Sequence, residues 1–257
     1  MQIYRFEHRG SAHYGRGSSL PEAELLSGAP WAGGVPTGER LAVSQSQLLA
    51  PVAPSKIVCV GRNYAAHAQE LGNQVPDEPL LFLKPPSALV GPGAAIAIPA
   101  ASQRVEHEAE IGIVIGQRLA HVGAHDALRG IFGVTCVNDV TARDIQRKDI
   151  QFTRAKSFDT FCPVGPWIET SCDFATLSVV ARVNGEQRQV GAVHQMIFGI
   201  GALLAFISNV MTLEPGDLVS TGTPHGVGPL QPSDVVEIEI PGVGVLRNSV
   251  VAAAPGR

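Results

Sequence analysis

Three carboxylates, Glu108, Glu110 and Asp139, are the residues of this chain whose types and spacing most directly suggest chemistry. Glu108 and Glu110 stand two apart just before an apolar run at 111–115. On a β-strand alternate side chains share a face, so the two would project together. Asp139 follows a second apolar run, and a third carboxylate there could close an all-oxygen site for a hard cation of the Mg²⁺ type. Read from these residues alone, other assignments stay open. Glu106, Glu108 and Glu110 suit a solvated strand face, and Asp139, Asn138 or Thr141 suits a helix cap or an ion pair with Arg143.

A second group sits in Gly61-Arg62-Asn63-Tyr64-Ala65-Ala66-His67-Ala68-Gln69-Glu70-Leu71-Gly72. Asn63 can cap a short helix and Gly72 can end it, which puts His67 and Glu70 at i,i+3 on one face. A carboxylate beside an imidazole orients it and raises its basicity, as a general base for water activation requires; an exposed helical pair is the plainer reading. Lys156 is either a surface lysine or a cation that stabilises developing enolate or carboxylate charge. In the Gly- and Pro-dense loop at 220–229, backbone amides with the Thr223 hydroxyl can cradle a carboxylate, or the loop is simply a tight connection. It lacks the Lys-Ser/Thr pair of a Walker loop, and the chain has no Rossmann fingerprint, zinc cluster or Gly-x-Ser-x-Gly elbow.

Strands are predicted at 56–60, 80–83, 108–115, 132–137, 178–183, 217–221, 235–240 and 244–250, and helices only at 63–71, 126–130, 141–147 and 193–211. This is a mixed β pattern with few helices and no regular βαβ alternation. Residues 1–50, with short strand candidates at 2–6 and 40–43, read as a small β appendage; the prolines at 51 and 54 mark a linker, and the main domain spans 55–257. The segment at 193–211 is apolar, but His194, Gln195, Ser208 and Asn209 interrupt it, so a buried amphipathic helix is expected there and not a membrane span. A net charge of −4 without a Lys/Arg run gives no footprint for nucleic acid or anionic lipid. Four cysteines without metal-ligand spacing, and no apolar leader, make a reducing cytoplasm with mostly buried free thiols the expectation.

Taken in order, Gly61-Arg62-Asn63-Tyr64, His67/Glu70, Phe82-Leu83-Lys84-Pro85, Glu108-Ala109-Glu110, residues 138–144, Lys156-Ser157-Phe158-Asp159 and Gly222-Thr223-Pro224 resemble the fumarylacetoacetate hydrolase family over roughly 55–250. The resemblance implies a β-roll or β-sandwich catalytic domain in a homodimer. It implies Mg²⁺ or Mn²⁺ on Glu108, Glu110 and Asp139, and a catalytic His67–Glu70 dyad on a lid-like segment. Lys156 and Gln146 would meet the substrate, with Arg62 and Thr223 as further candidates; Glu106 matches no family ligand. With only about 50 residues before the catalytic domain, the chain is similar to the short members that act on acylpyruvates, oxaloacetate or dienedioates. The favoured activity is C–C cleavage of a small 2-oxo acid through a metal-stabilised enolate, by acylpyruvate hydrolysis or oxaloacetate decarboxylation. The alternatives are a keto–enol tautomerase or dienedioate isomerase and, from another class, a non-catalytic metal-dependent binder.

Overall fold

Alternation of side chains along the central strands sets the architecture. In the computed structural model, which describes residues 1–253, strand Ala109–Ile115 sends Ile111, Ile113 and Ile115 into one apolar cluster and Val114 into another. Strand Ile57–Gly61 splits in the same way, Val58 to the first cluster and Ile57 and Cys59 to the second. Burial on both faces is why these strands read as continuous apolar runs. The last four residues of the expected catalytic domain, 254–257, lie outside the described residues.

The main sheet runs from Pro36–Ala42 through Glu22–Leu26, Ser11–Gly17 and Gln2–His8 to Cys162–Glu169, Ile131–Asn138, Ala109–Ile115, Leu218–Ser220, Ile57–Gly61 and Leu80–Lys84. A five-stranded sheet of Glu186–Ala192, Ser178–Val183, Val235–Ile240, Gly244–Ala252 and Ile96–Ile98 covers one of its faces. Val179, Ala181, Val236, Ile238 and Leu246 of that sheet share a core with Ile111 and Ile113 of the first. The expected mixed-β fold with few helices is therefore observed as two stacked sheets. Helices are short, the longest being Ile200–Val210, and no helix of the described residues is long and apolar enough to cross a membrane.

Several elements differ from the expectation. The first 50 residues form four strands, not two, and Gln2–His8 pairs with Cys162–Glu169, so they extend the main sheet. Ser11–Gly17 has no β-branched run; it is a strand because its whole length pairs with Gln2–His8. Cys162–Glu169, for which no strand was predicted, is an interior strand despite Pro163 and Pro166, and it makes irregular pairing with its neighbour, with a register shift between Val134 and Cys136. The segment expected as one helix at 193–211 begins with a 3₁₀ turn, Val193–Gln195, and becomes helical only at Ile200. Residues between them are taken by backbone pairing: Met196 bridges Tyr64, and Ile197 N–H donates to Asn63 O at 2.8 Å. Thr141 and Ala142, expected in a helix, pair with Glu106 and Val105, and the helix is Arg143–Lys148.

Asp217 fastens the two parallel strands nearest the site to one another. Fully buried, it accepts from Ser55 N–H (3.1 Å), Ser55 Oγ (2.7 Å), Lys56 N–H (3.2 Å) and Glu214 N–H (2.8 Å), and it pairs with Lys56 Nζ. Burial pushes its carboxyl up, but the Lys56 ammonium and the donated hydrogen bonds outweigh this and hold it below the ordinary value. A depressed folded-state pKa contributes stability above the unfolded value, near ~4, and that contribution is lost as pH falls through the folded value. Asp217→Asn is expected to cost about 1–3 kcal/mol at pH 7 in urea unfolding, with the difference from the parent shrinking as pH drops below about 4.

Candidate active site

Antiparallel register assembles the carboxylates. Ala109 pairs with Asn138 and Glu110 with Val137, so Asp139, one residue past the end of its strand, comes opposite Glu108, to whose carbonyl its N–H donates at 2.9 Å. Asn138 Oδ1 closes the same corner by accepting from Glu108 N–H at 3.0 Å. One oxygen from each of Glu108, Glu110 and Asp139 lies within 4.8 Å of the other two, and all three residues are buried. Gly112 lets the strands approach here, since a Cβ there would stand 2.5 Å from Val137 Cγ2. The solvated-face reading of Glu106 and its neighbours is thus excluded by burial, and Asp139 is no helix cap: helix Arg143–Lys148 starts after Ala142 with no side-chain cap.

Cations from three elements hold the cluster together. Lys156, on helix Thr153–Lys156, is buried and bridges Glu108 Oε2 (2.7 Å) and Asp139 Oδ2 (2.6 Å), with its Nζ 5.0 Å from the centre of the Phe82 ring. Lys84 ends strand Leu80–Lys84 and donates to Asp139 Oδ1 at 2.5 Å and Val140 O at 3.2 Å. Arg143 reaches Glu106 Oε2 at 2.7 Å and Glu108 Oε1, so its partners are glutamates and not the aspartate weighed from the sequence. Burial alone would raise the Glu108 carboxyl; Lys156, Arg143 and His67 outweigh it and hold the group well below the carboxylate range. Glu110 lacks such a partner. Burial first, then the charges of Asp139 and Glu108, push it up to about 8, against the opposing pull of Lys156 and the Ser220 hydroxyl.

A cavity of about 190 Å³ opens onto this cluster. Of the residues singled out from the sequence, Arg62, His67, Gln146, Lys156, Thr223 and the three carboxylates line it, while Glu70 supports His67 from behind. His67 Nδ1 stands 3.2 Å from Glu70 Oε2 on helix Ala65–Glu70. That leaves Nε2 as the ring nitrogen free for the cavity. Burial pushes the imidazole below its ordinary value, against Glu108 and Glu70, so it is neutral at pH 7 and able to take a proton. Arg62 has a left-handed backbone, φ 57°, at the end of strand Ile57–Gly61. Gln146 Oε1 accepts from Arg143 Nη1.

Two assignments change. The Thr223 hydroxyl donates to Ala109 O at 2.9 Å and accepts from Gln189 Nε2 at 2.8 Å, so its proton is committed to the scaffold and cannot cradle a carboxylate. Asn63 does not cap its helix, whose N-cap is Tyr64; it is buried and bonded to Phe198 and Thr221 backbone atoms. Lys84, noted only within Phe82-Leu83-Lys84-Pro85, and Arg147, which also lines the cavity, had no role assigned from the sequence. The signals for Lys84 were its place in that stretch and a charged residue closing an apolar strand before proline.

Residues 56–251 match the family described as "Fumarylacetoacetate (FAA) hydrolase C-terminal", and residues 1–51 match "Rv2993c-like, N-terminal". The chain belongs to the fumarylacetoacetate hydrolase family. It is 49% identical over 218 residues to protein Rv2993c of Mycobacterium tuberculosis, covering 84% of this chain and 82% of that protein. With the bovine mitochondrial oxaloacetate tautomerase FAHD2A it shares 43% identity over 221 residues, 81% of this chain and 70% of the relative. The solved structure of a 2-hydroxyhepta-2,4-diene-1,7-dioate isomerase from Mycobacterium marinum superposes with a TM-score of 0.90 at 41% identity, covering all of both chains.

Members of this enzyme family generally bind a divalent metal, and the residues present fit one. The donor set is entirely carboxylate oxygen, which suits a hard cation, and both hydrogen bonds to Glu110, from Ser220 Oγ and Gly222 N–H, go to Oε2, leaving Oε1 for a ligand bond. Glu110→Gln keeps the shape and removes the cost of holding a buried carboxyl protonated at a pH where the unfolded chain ionises it. It is expected to raise the melting temperature of the metal-free protein and to weaken Mn²⁺ binding, followed by electron paramagnetic resonance, by about tenfold or more.

Proposed function

We propose that the protein is a divalent-metal-dependent tautomerase or isomerase of a small 2-oxo dicarboxylate, of which oxaloacetate is the simplest, in place of the C–C cleavage favoured from the sequence. The observation that carries this is the neutral, Glu70-supported His67 facing the carboxylate cluster across a cavity of only about 190 Å³. That is below the roughly 300–1,000 Å³ of clefts for drug-sized ligands. Proton transfer needs a base, a polarised carbonyl and little room. The similarity to an oxaloacetate tautomerase and to a dienedioate isomerase supports the same choice.

A bound Mg²⁺ or Mn²⁺ would supply Lewis-acid polarisation of the 2-oxo group, held by Glu108, Glu110 and Asp139. His67 Nε2 takes the proton from the carbon beside the 2-oxo group and returns it to the other end of the enol system, while Glu70 keeps the ring turned. Lys156, buried beside Glu108 and Asp139, adds positive charge where the substrate oxygen becomes negative. Arg62 and Arg147 line the cavity and pair with no carboxylate among the described residues, so they are the partners we assign to the distal carboxylate. Four unpaired cysteines support a reducing cytoplasm as its setting. A homodimer is proposed as well, with Ile150, 98% exposed beside the cavity segment, as a side chain that a second copy would cover.

Loss of oxaloacetate enol absorbance, followed with and without Mg²⁺ and separately from pyruvate release, tests the reading. Metal-dependent enol loss without pyruvate is expected; metal-dependent pyruvate release would return the assignment to C–C cleavage. His67→Ala should lower the rate about 10²–10⁴-fold. In Arg147→Ala, KM for the dicarboxylate should rise about ten- to a hundredfold, with the KM for a 2-oxo monocarboxylate unchanged.

A further inference from the structure

The loop at 221–226, which holds Glu110, also holds both ends of the segment that carries His67. At the near end Asn63 Nδ2 donates to Thr221 O at 2.8 Å and to Phe198 O at 3.1 Å, and Asn63 Oδ1 accepts from Phe198 N–H at 2.9 Å. At the far end Gly226 N–H donates to both Glu70 oxygens, 2.9 Å to Oε1 and 3.2 Å to Oε2, and that Oε2 meets His67 Nδ1. Between the two, Gly222 N–H donates to Glu110 Oε2 at 2.8 Å. Gln189 Nε2 fixes the loop itself through Thr223 Oγ1 (2.8 Å) and Pro224 O (2.7 Å). A six-residue helix such as Ala65–Glu70 has little stability of its own, so these anchors decide where it sits.

We infer that the backbone N–H of Gly226 is a positioning donor for the proton transfer: it holds the Glu70 carboxylate so that His67 presents Nε2 to the cavity, in register with Glu110 through the same loop. The role assigned to Gly226 rests on His67 being the general base. Glycine is required at this place. Its φ is +95°, and a Cβ would stand 2.1 Å from Arg188 O, so any side chain displaces the backbone at 226, beyond the Gln189 bonds that fix the loop at 223 and 224. The Glu70 side chain is 32% exposed; released from Gly226 it would turn to water, and a solvated carboxylate orients nothing.

Gly226→Ala, in the full metal-loaded chain, should lower kcat about 10–100-fold, the scale of a ~1 Å misplacement, with KM within about twofold and Mn²⁺ affinity unchanged. His225→Ala, an exposed neighbour, should leave kcat as it is. Because Gly226 acts through Glu70, adding Gly226→Ala to Glu70→Ala should cost no further kcat. Additive losses in this cycle, or a loss expressed in KM, would overturn the inference.

Should Gly226→Ala fail to fold, amide hydrogen exchange on Glu70→Ala gives the same answer: the Gly226 amide should lose protection while the Gly222 amide, bonded to Glu110, keeps it. Equal Gly226 protection in parent and variant overturns the inference. Exchange needs no turnover, so the expected exchange pattern in a chain without tautomerase activity would preserve the anchor and discard the proposed reaction. Undiminished kcat in a folded Gly226→Ala would do the reverse.

Discussion

Three carboxylates buried within 4.8 Å of one another repel, and much of this structure consists of what keeps them together. Desolvation makes the arrangement costly, and only positive charge at close range offsets it. Lys84, Lys156 and Arg143 provide that charge from a strand end, a one-turn helix and a helix start. Each is buried with its partner, so each would itself be an uncompensated charge if the carboxylates were absent. Cations and carboxylates therefore stand or fall as a set.

The counter-charge is unevenly shared, and the unevenness has a chemical use. Glu108 and Asp139 each meet two cationic groups, whereas Glu110 meets a hydroxyl and a backbone N–H. The imbalance makes Glu110 the carboxyl whose ionisation is least supported by the protein, so a divalent cation that displaces its proton gains most on that side of the cavity. Lys156 touches both Glu108 and Asp139, so a cation settling there and a substrate oxygen beside it would share one pre-formed field, with the ring of Phe82 under the ammonium.

Rigidity is distributed to match. The carboxylates lie within or directly at the ends of paired, buried strands of the main sheet, whereas His67 sits on a six-residue helix whose place is set by hydrogen bonds to a neighbouring loop. Strands with both faces in apolar cores hold ligand geometry closely. A short helix tied at two points takes its place from those anchors, which lie in the same loop that bonds Glu110.

Local pattern in the sequence was enough for the mixed-β class, for the shared face of Glu108 and Glu110, and for the i,i+3 placing of His67 and Glu70, because each depends only on the 2.0 or 3.6 periodicity of neighbouring residues. Strand Glu186–Ala192 also had a local signal that went unread: Asn184-Gly185, both with positive φ, make the hairpin turn into it. What the sequence alone did not decide was everything that depends on partners far along the chain. Ser11–Gly17 and Cys162–Glu169 are strands because of what they pair with, and the stretch at 196–198 is kept from helix by Asn63 and Tyr64. Lys84 and Lys156 look like surface lysines until the sheet closes over them, and Thr223 loses its free hydroxyl only when Gln189 arrives. Residue types fixed which groups were available for chemistry; the antiparallel register of Ala109–Ile115 on Ile131–Asn138 decided which of them meet, since a one-residue slip there would have moved every side chain of the strand to the opposite face.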